Sequence, residues 1–533
     1  MSHLLGRQIA KRLILICVCV PVFMLNLDAN IIAVSLPSIA HSLKADFGAV
    51  EWVVGAYTLT FASLMLPAGM LADRYGRKNV LILGLGIFTL ASFMCGAASS
   101  VGMLNAARAL QGAGAALLLS AALATLSHEF RGSERAPAFA FWGSVIGVAI
   151  TLGPVTGGLI AHTFGWEWAF YVNVPIGLAL IGLTSYAVRP SRDPNATGVD
   201  VPGSLSFAGA LFLLTLALIS GNHHGWRSPR VAAEFVGASV LFGAFLAIEL
   251  RQSRPMLELY YFRRPTYVGA NIAGLAYGAA FLTMVTFLPL YLQGGLELAP
   301  QEVGILMLPL AIPLVLVPRV VARHLTHRLS GRVLLTIGLG LVGAGLLWLA
   351  LVAPHFRYAW IFAGMLIAGV GAGILNGEIA KIGITAIPPE RAGMAAGVGG
   401  TVRFAGIVVG FAALGAILFG QVGSTLHALL PNDLPEERRF EIVQRIVAGD
   451  LPSAARMTEG VNEAARASFG AGYRTVFLSA AALAVVAAIA TWLTVRSSET
   501  APVPVERRSV ALHEGDEDER LEDSVVGLPR LDP

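Results

Sequence analysis

Apolar runs of roughly 20 residues, separated by short polar turns, recur along the whole chain. They fall near 13–39, 51–71, 79–98, 103–126, 137–161, 174–189, 204–221, 231–250, 267–293, 302–322, 332–353, 358–384, 392–420 and 473–495. Each is long enough to cross a hydrocarbon core. Lipid offers no partner to a free backbone N–H or C=O, so every run is predicted as a helix. The chain is therefore expected to be an all-α membrane protein with fourteen transmembrane helices.

The basic residues orient these helices. With the N-terminus inside, the inner turns hold Arg74, Arg77, Lys78, Arg131, Arg135, Arg189, Arg192, Arg263, Arg264, Arg319 and Arg323, among others. The short outer turns hold Lys44, Arg227, Arg230 and Arg357. Both termini are expected in the cytoplasm. The first apolar run reaches Ala40 and contains Asp28, so it reads as an uncleaved membrane helix rather than a signal.

Two stretches lie outside this pattern. Residues 421–472 are polar and patchy, and are expected as an external loop with one or two surface helices. The tail 496–533 is acidic (Glu514 to Glu519) and is expected to be disordered. Gly304, Pro309, Arg323, Arg328, Gly331 and Arg332 form a degraded echo of the charged turn at 69–78, as a duplicated bundle would leave. The predicted organisation is a six-helix bundle at 1–190, an extra two-helix hairpin at 191–265 and a second six-helix bundle at 266–495.

Composition agrees. The chain is 56% hydrophobic and 13% charged, where soluble domains carry roughly 25% charged residues. The net charge of +4 comes from residues scattered over short turns, which gives no nucleic-acid surface. Cys17, Cys19 and Cys95 lie inside apolar runs and imply no disulfide framework.

A few polar residues interrupt the apolar runs, and these carry the chemistry. Asp28 lies in helix 1, about 22 Å from the inner end at the helical rise per residue. A carboxylate in lipid normally faces a cavity or a partner and marks an ion or proton path. Two readings stand: a proton carrier, or a hydrogen-bonded tether between helices. Arg108 in helix 4 lies about 7 Å below the outer end, at a similar depth. It keeps its proton, and can hold a carboxylate in one conformation and release it in another. Glu378 and Lys381 share one face of helix 12 at i,i+3 spacing, with Arg403 in helix 13 within reach. They are either an internally neutralised triad or a second charge site. Trp52, Tyr57, Phe61, Trp142, Tyr277, Phe281, Phe287 and Phe404 are candidates for lining an apolar cavity.

Gly69-Met-Leu-Ala-Asp73-Arg74-Tyr-Gly76-Arg77-Lys78 crowds charges between helices 2 and 3. Helix 5 carries Gly143, Gly147, Gly153-Pro154 and Gly157-Gly158. The first stretch resembles the loop signature of the major facilitator superfamily. The second, G-P-x-x-G-G, resembles the motif that marks its drug:proton antiporters. Glu51–Leu59, Trp166–Gly177 and Leu288–Gln293 resemble the fourteen-helix antiporter family (EmrB/QacA type), over about residues 13–495. Glu167, Asn30 and Ala33 depart from its usual residues.

The resemblance implies two six-helix bundles plus a hairpin, in a bacterial inner membrane. It also implies proton-coupled export of hydrophobic small molecules by alternating access. Asp28 and Arg108 would carry and tune the proton. Residues 69–78 would latch onto the N-terminus of helix 13, with Gly69 and Gly76 permitting close approach. A periplasmic adaptor is one conceivable partner. A metabolite or siderophore transporter of the same superfamily is the alternative, and a channel or receptor fits less well. No phosphate-binding Gly-x-x-x-x-Gly-Lys-Ser/Thr occurs, which argues against ATP coupling in this chain. His223-His224 lacks clustered ligands, so no metal or other cofactor is expected.

Overall fold

Hydropathy sets which segments become helices, and backbone hydrogen bonding carries most of them past the apolar limits. The structure is a computed structural model describing residues 2–501, except 46, 131–133, 192–199, 253–254, 256, 389–391, 431–434 and 458–460. The membrane helices are α1 (Ser2–Ser42), α2 (Phe47–Tyr75), α3 (Arg77–Gly96), α4 (Val101–Glu129), α5 (Arg135–Thr163), α6 (Asn173–Ala187) and α7 (Val201–His224). They continue with α8 (Pro229–Arg251), α9 (Pro265–Leu296), α10 (Pro300–Leu325), α11 (Gly331–Val352), α12 (Tyr358–Thr385), α13 (Ala392–Leu429) and α14 (Val461–Thr494). Among the described residues, thirteen helices are long and apolar enough to cross a membrane. The shorter apolar stretch Ala49–Met65 in α2 supplies the fourteenth.

The polar segment between α13 and α14 is narrower than hydropathy suggests. α13 continues to Leu429, and α14 starts at Val461. Between them an amphipathic surface helix, Glu436–Val447, buries Ile442, Val443, Ile446 and Val447. A polar helix end that leaves the bilayer keeps its backbone bonds while losing its apolar signal, so the sequence places the boundary too early. The tail beyond residue 501 lies outside the described residues.

The helices form two six-helix bundles, α1–α6 and α9–α14, with α7–α8 as the inserted hairpin. The first bundle packs Val18, Val22, Leu81, Leu85, Phe88, Leu118 and Leu126 into one core. The hairpin is seated by one of its helices. Leu211 and Phe207 of α7 cluster with Leu59 and Ala62 of α2 and Val408 of α13. α7 thus covers the line where the two bundles meet, and α8 packs behind it, with Phe207 and Phe245 ring centres 5.3 Å apart.

The bundles touch closely at the end away from the chain termini. Gln293 of α9 donates to the Val34 carbonyl of α1 at 2.9 Å. α5 meets the start of α10, where Gly158 lies against the Pro300 carbonyl and Gly304 against the Pro154 carbonyl. A Cβ at either glycine would collide with backbone, so small residues are what allow this end to close.

Candidate functional site

α1 delivers Asp28 to the interior of the first bundle, where the residue is 1% exposed. Every neighbour that touches its carboxylate is a donor. Arg108 Nη1 of α4 donates to Oδ2 at 2.8 Å. Gln111 Nε2 of α4 and Asn173 Nδ2 at the start of α6 donate to Oδ1, at 3.0 and 2.8 Å. A buried carboxylate is tolerated only when its lone pairs are met, and α4 and α6 converge on α1 to meet them.

The donors are themselves held. Arg108 Nη1 also donates to Gln111 Oε1 at 2.6 Å, and Arg108 Nε donates to the Val53 carbonyl of α2 at 2.9 Å. The guanidinium lies over the Tyr57 ring, 4.2 Å from its centre, with Phe170 at 5.8 Å on a second side. Gln111 Nε2 reaches Ser92 Oγ of α3 at 2.9 Å. Tyr57 thus serves Arg108 as a cation–π floor, which a desolvated setting strengthens. If Asp28 gained a proton, Arg108 would keep Val53, Gln111 and Tyr57 as partners.

The sequence placed Asp28 and Arg108 at similar depth, and the structure joins them. It missed Gln111 and Asn173 as ligands of the carboxylate. Gln111 sits three residues after Arg108, on the same helical face, which was a usable signal. Asn173 is 145 positions from Asp28, and nothing local betrays that contact.

The second charged group comes apart. Lys381 Nζ donates to both Glu378 oxygens, at 3.3 and 3.2 Å. Arg403 joins neither of them. It makes no hydrogen bond or ion pair among the described residues, because it lies on the α9 face of α13 while Lys381 already neutralises Glu378.

The helix 5 glycines work mainly as contact points. Gly153 and Gly157 face Asn30 and Ile31 of α1, and Gly147 faces Leu314 of α10. A Cβ at Gly143 would have open space. The substituted position Asn30 is therefore in direct contact with the motif.

The charged turn differs from its expected form. Gly76 has φ of 97°, a left-handed turn that only glycine enters freely, and this lets α3 start immediately after α2. Its amide neighbour Arg77 N donates to the Ser191 carbonyl at 2.9 Å, and Lys78 Nζ donates to the Ser185 carbonyl at 2.6 Å. A Cβ at Gly69 would meet nothing, and Arg74 is exposed. Gly76 thus serves backbone geometry rather than close approach to α13. The Asp73 side chain and the first two side chains of α13 lie outside the described residues.

The aromatic candidates divide by position. Phe61 of α2 meets Phe404 of α13, with ring centres 4.1 Å apart, so these two span the bundles. Tyr277 and Phe281 stack at 5.6 Å along the π-helical turn of α9. Trp142 is buried in the first-bundle core. Trp52 instead packs on Phe212 of the hairpin, at 5.9 Å, and Phe287 on Phe411. Among the described residues, no group of three or more His, Cys, Asp or Glu is placed to hold a metal ion.

The profile of the Major Facilitator Superfamily matches residues 18–411. A multidrug resistance protein, Stp, from Mycobacterium tuberculosis is 34% identical over 436 residues, covering 82% of this chain and 81% of that protein. A methylenomycin A resistance protein from Streptomyces coelicolor is 34% identical over 397 residues, covering 74% of this chain and 83% of that one. Among solved structures, an inward-facing bacterial homologue of the human lysosomal transporter Spinster superposes with a TM-score of 0.61 at 16% identity, covering 92% of this chain and 98% of that chain. A bacterial homologue of the human peptide transporters PepT1 and PepT2 gives 0.58, also at 16% identity.

Proposed function

The chain belongs to the Major Facilitator Superfamily of membrane transporters, not enzymes, and from that membership we propose that it is a proton-coupled antiporter exporting hydrophobic small molecules. Its relatives include a multidrug resistance protein and a methylenomycin A resistance protein, which favours export. The observation that carries the coupling is the Asp28 site. A carboxylate 1% exposed, held by Arg108, Gln111 and Asn173 at the junction of α1, α4 and α6, is a group whose charge state changes helix contacts.

In this reading the proton competes with Arg108 for Asp28. Protonation removes the ionic hydrogen bond at Oδ2 and loosens α1 from α4, while α1 remains seated on α5 through Gly153 and Gly157. Because α5 and α1 also make the closure against α10 and α9, a shift of α1 reaches the seam between the bundles. In the present conformation Asp28 is sealed from water, so proton entry requires the other conformation. Alternating access then ties proton passage inward to substrate passage outward.

The termini lie on the cytoplasmic side in this reading, so the closed end faces outward. The turn at 69–78 acts as the inner gate in the opposite state, where Asp73 would face the positive N-terminal end of α13. Imposed pH gradients in proteoliposomes test the reading: substrate must move uphill, opposite to the proton.

A further inference from the structure

α13 presents two faces to the interior. Gly400, Phe404 and Val408 turn toward α2, where Gly400 meets Met65 and Phe404 meets Phe61. Arg403, Gly406 and Gly410 turn toward α9, where Gly406 meets the Leu275 carbonyl and Gly410 meets Ala279. The Arg403 carbonyl lies against Gly278, the second residue of the π-helical turn. The window of α9 that contains this turn is 89% buried, so a side chain reaching over α9 points into the protein and not into lipid.

Two polar groups at this junction have no hydrogen-bond partner among the described residues. Arg403 Nε is buried and unbonded, and the Tyr277 hydroxyl is buried and unbonded among the described residues. Tyr277 directly precedes Gly278, the residue packed against the Arg403 carbonyl. Arg403 is half-buried as a whole, and its guanidinium lies 5.4 Å from the centre of the Phe404 ring. Asp28 is paired with Arg108 and Glu378 with Lys381, and a third buried carboxylate, Glu51, lies against Gly415, twelve residues further along α13. An uncompensated guanidinium at membrane depth is costly, and a retained one marks a place where a negative charge arrives. Phe61 and Phe404 bound the site on the α2 side, and Phe281 stacks beneath Tyr277.

We propose that Arg403 and Tyr277 form a substrate subsite for the anionic group of an aromatic organic acid, with Phe61 and Phe404 taking its apolar body. Arg403 supplies the charge and two or more N–H donors, and Tyr277 one O–H donor. This deepens the exporter reading and rests on it for the direction of transport alone. Binding is a separate matter, so the two can fail separately.

The test uses a matched pair of probes on one skeleton: 8-anilinonaphthalene-1-sulfonate, an anion, and N-phenyl-1-naphthylamine, which is neutral. Equilibrium binding of each to purified full-length protein in detergent is read by fluorescence. Wild-type protein is expected to prefer the anion. Arg403→Gln should weaken the sulfonate by about tenfold or more while shifting the neutral probe less than about twofold. Arg403→Lys should recover part of the loss, and Tyr277→Phe should weaken the sulfonate alone by about fivefold. Tyr277→Phe and Arg403→Lys keep the test alive if Arg403→Gln does not fold. Equal losses for both probes, an unchanged sulfonate affinity in the variants, or a wild-type protein that takes only the neutral probe would each overturn the subsite. The binding readout uses no proton gradient, so a failure of proton coupling in flux assays leaves this result standing on its own.

Discussion

Arg108 donates to Asp28 at 2.8 Å, across 80 positions of sequence, with both residues 1% exposed. Both carboxylate oxygens are bonded and the guanidinium is held from α1, α2 and α4, so in this conformation the pair is a stable lock and not an open proton path. Several consequences can be measured.

Removing the carboxylate leaves Arg108 buried without its counter-charge. Breaking one side of a buried pair costs about 3–5 kcal/mol, and a side chain that keeps a hydrogen-bond acceptor costs less. Asp28→Ala should therefore lower thermal stability in detergent more than Asp28→Asn. Equal unfolding temperatures for the two variants would contradict a lock at this position.

Gln111 and Asn173 act through Asp28. Each contributes one N–H to Oδ1, worth about 1.5–3 kcal/mol as a bond to a charged group. Gln111→Leu and Asn173→Leu should cut proton-driven transport by about tenfold. They should also change the pH dependence of transport, whereas a purely structural role would lower the rate at every pH alike. Transport profiles between acid and neutral pH distinguish these.

Gly158 lies against the Pro300 carbonyl. A Gly158→Val side chain has no room there, so this end should stay open. A single cysteine at Gln293, whose amide bonds Val34 in the closed form, should become reactive to a membrane-impermeant maleimide in the Gly158→Val background. Protection equal to the Gly158 parent would rule out this glycine as a closure point.

The 69–78 turn is expected to set the rate of cycling and not the choice of substrate. Asp73→Asn should slow turnover with an unchanged substrate range. Gly76→Ala, forced into φ of 97°, should cost about 1 kcal/mol of stability through backbone strain. Normal turnover in Asp73→Asn would exclude the latch.

Glu378 bonds Lys381 on its own helix, and among the described residues it makes no ion pair with Arg403. Glu378→Gln should preserve the proton dependence of transport. Loss of that dependence would make Glu378 a second proton carrier.

The helix count was legible because lipid forces backbone pairing within each segment, and hydropathy reads lipid directly. Asp28 and Arg108 were legible for the same reason, since charge in such a setting stands out. Asn173 and Val53 were not, because amide and carbonyl partners are ordinary in sequence and become ligands only by packing; Gln111 was signalled only by its spacing from Arg108. Arg403 shows the opposite failure. Sequence spacing suggested Glu378 as its partner, but the faces of α12 and α13 decide otherwise. Trp52 looked like a cavity residue until the hairpin, placed by tertiary packing, covered it.

The central claim is that Asp28 couples proton movement to export. The direct test reconstitutes wild-type protein and Asp28→Asn in proteoliposomes with an acidic lumen. The substrate is one found by a toxicity screen in an exporter-deficient host, and its accumulation inside is followed before and after a protonophore. Wild-type protein should concentrate the substrate above its external level and lose the gradient on protonophore addition, while Asp28→Asn should only equilibrate it. Uphill accumulation by Asp28→Asn, or accumulation by the wild type that ignores the protonophore, would contradict the account.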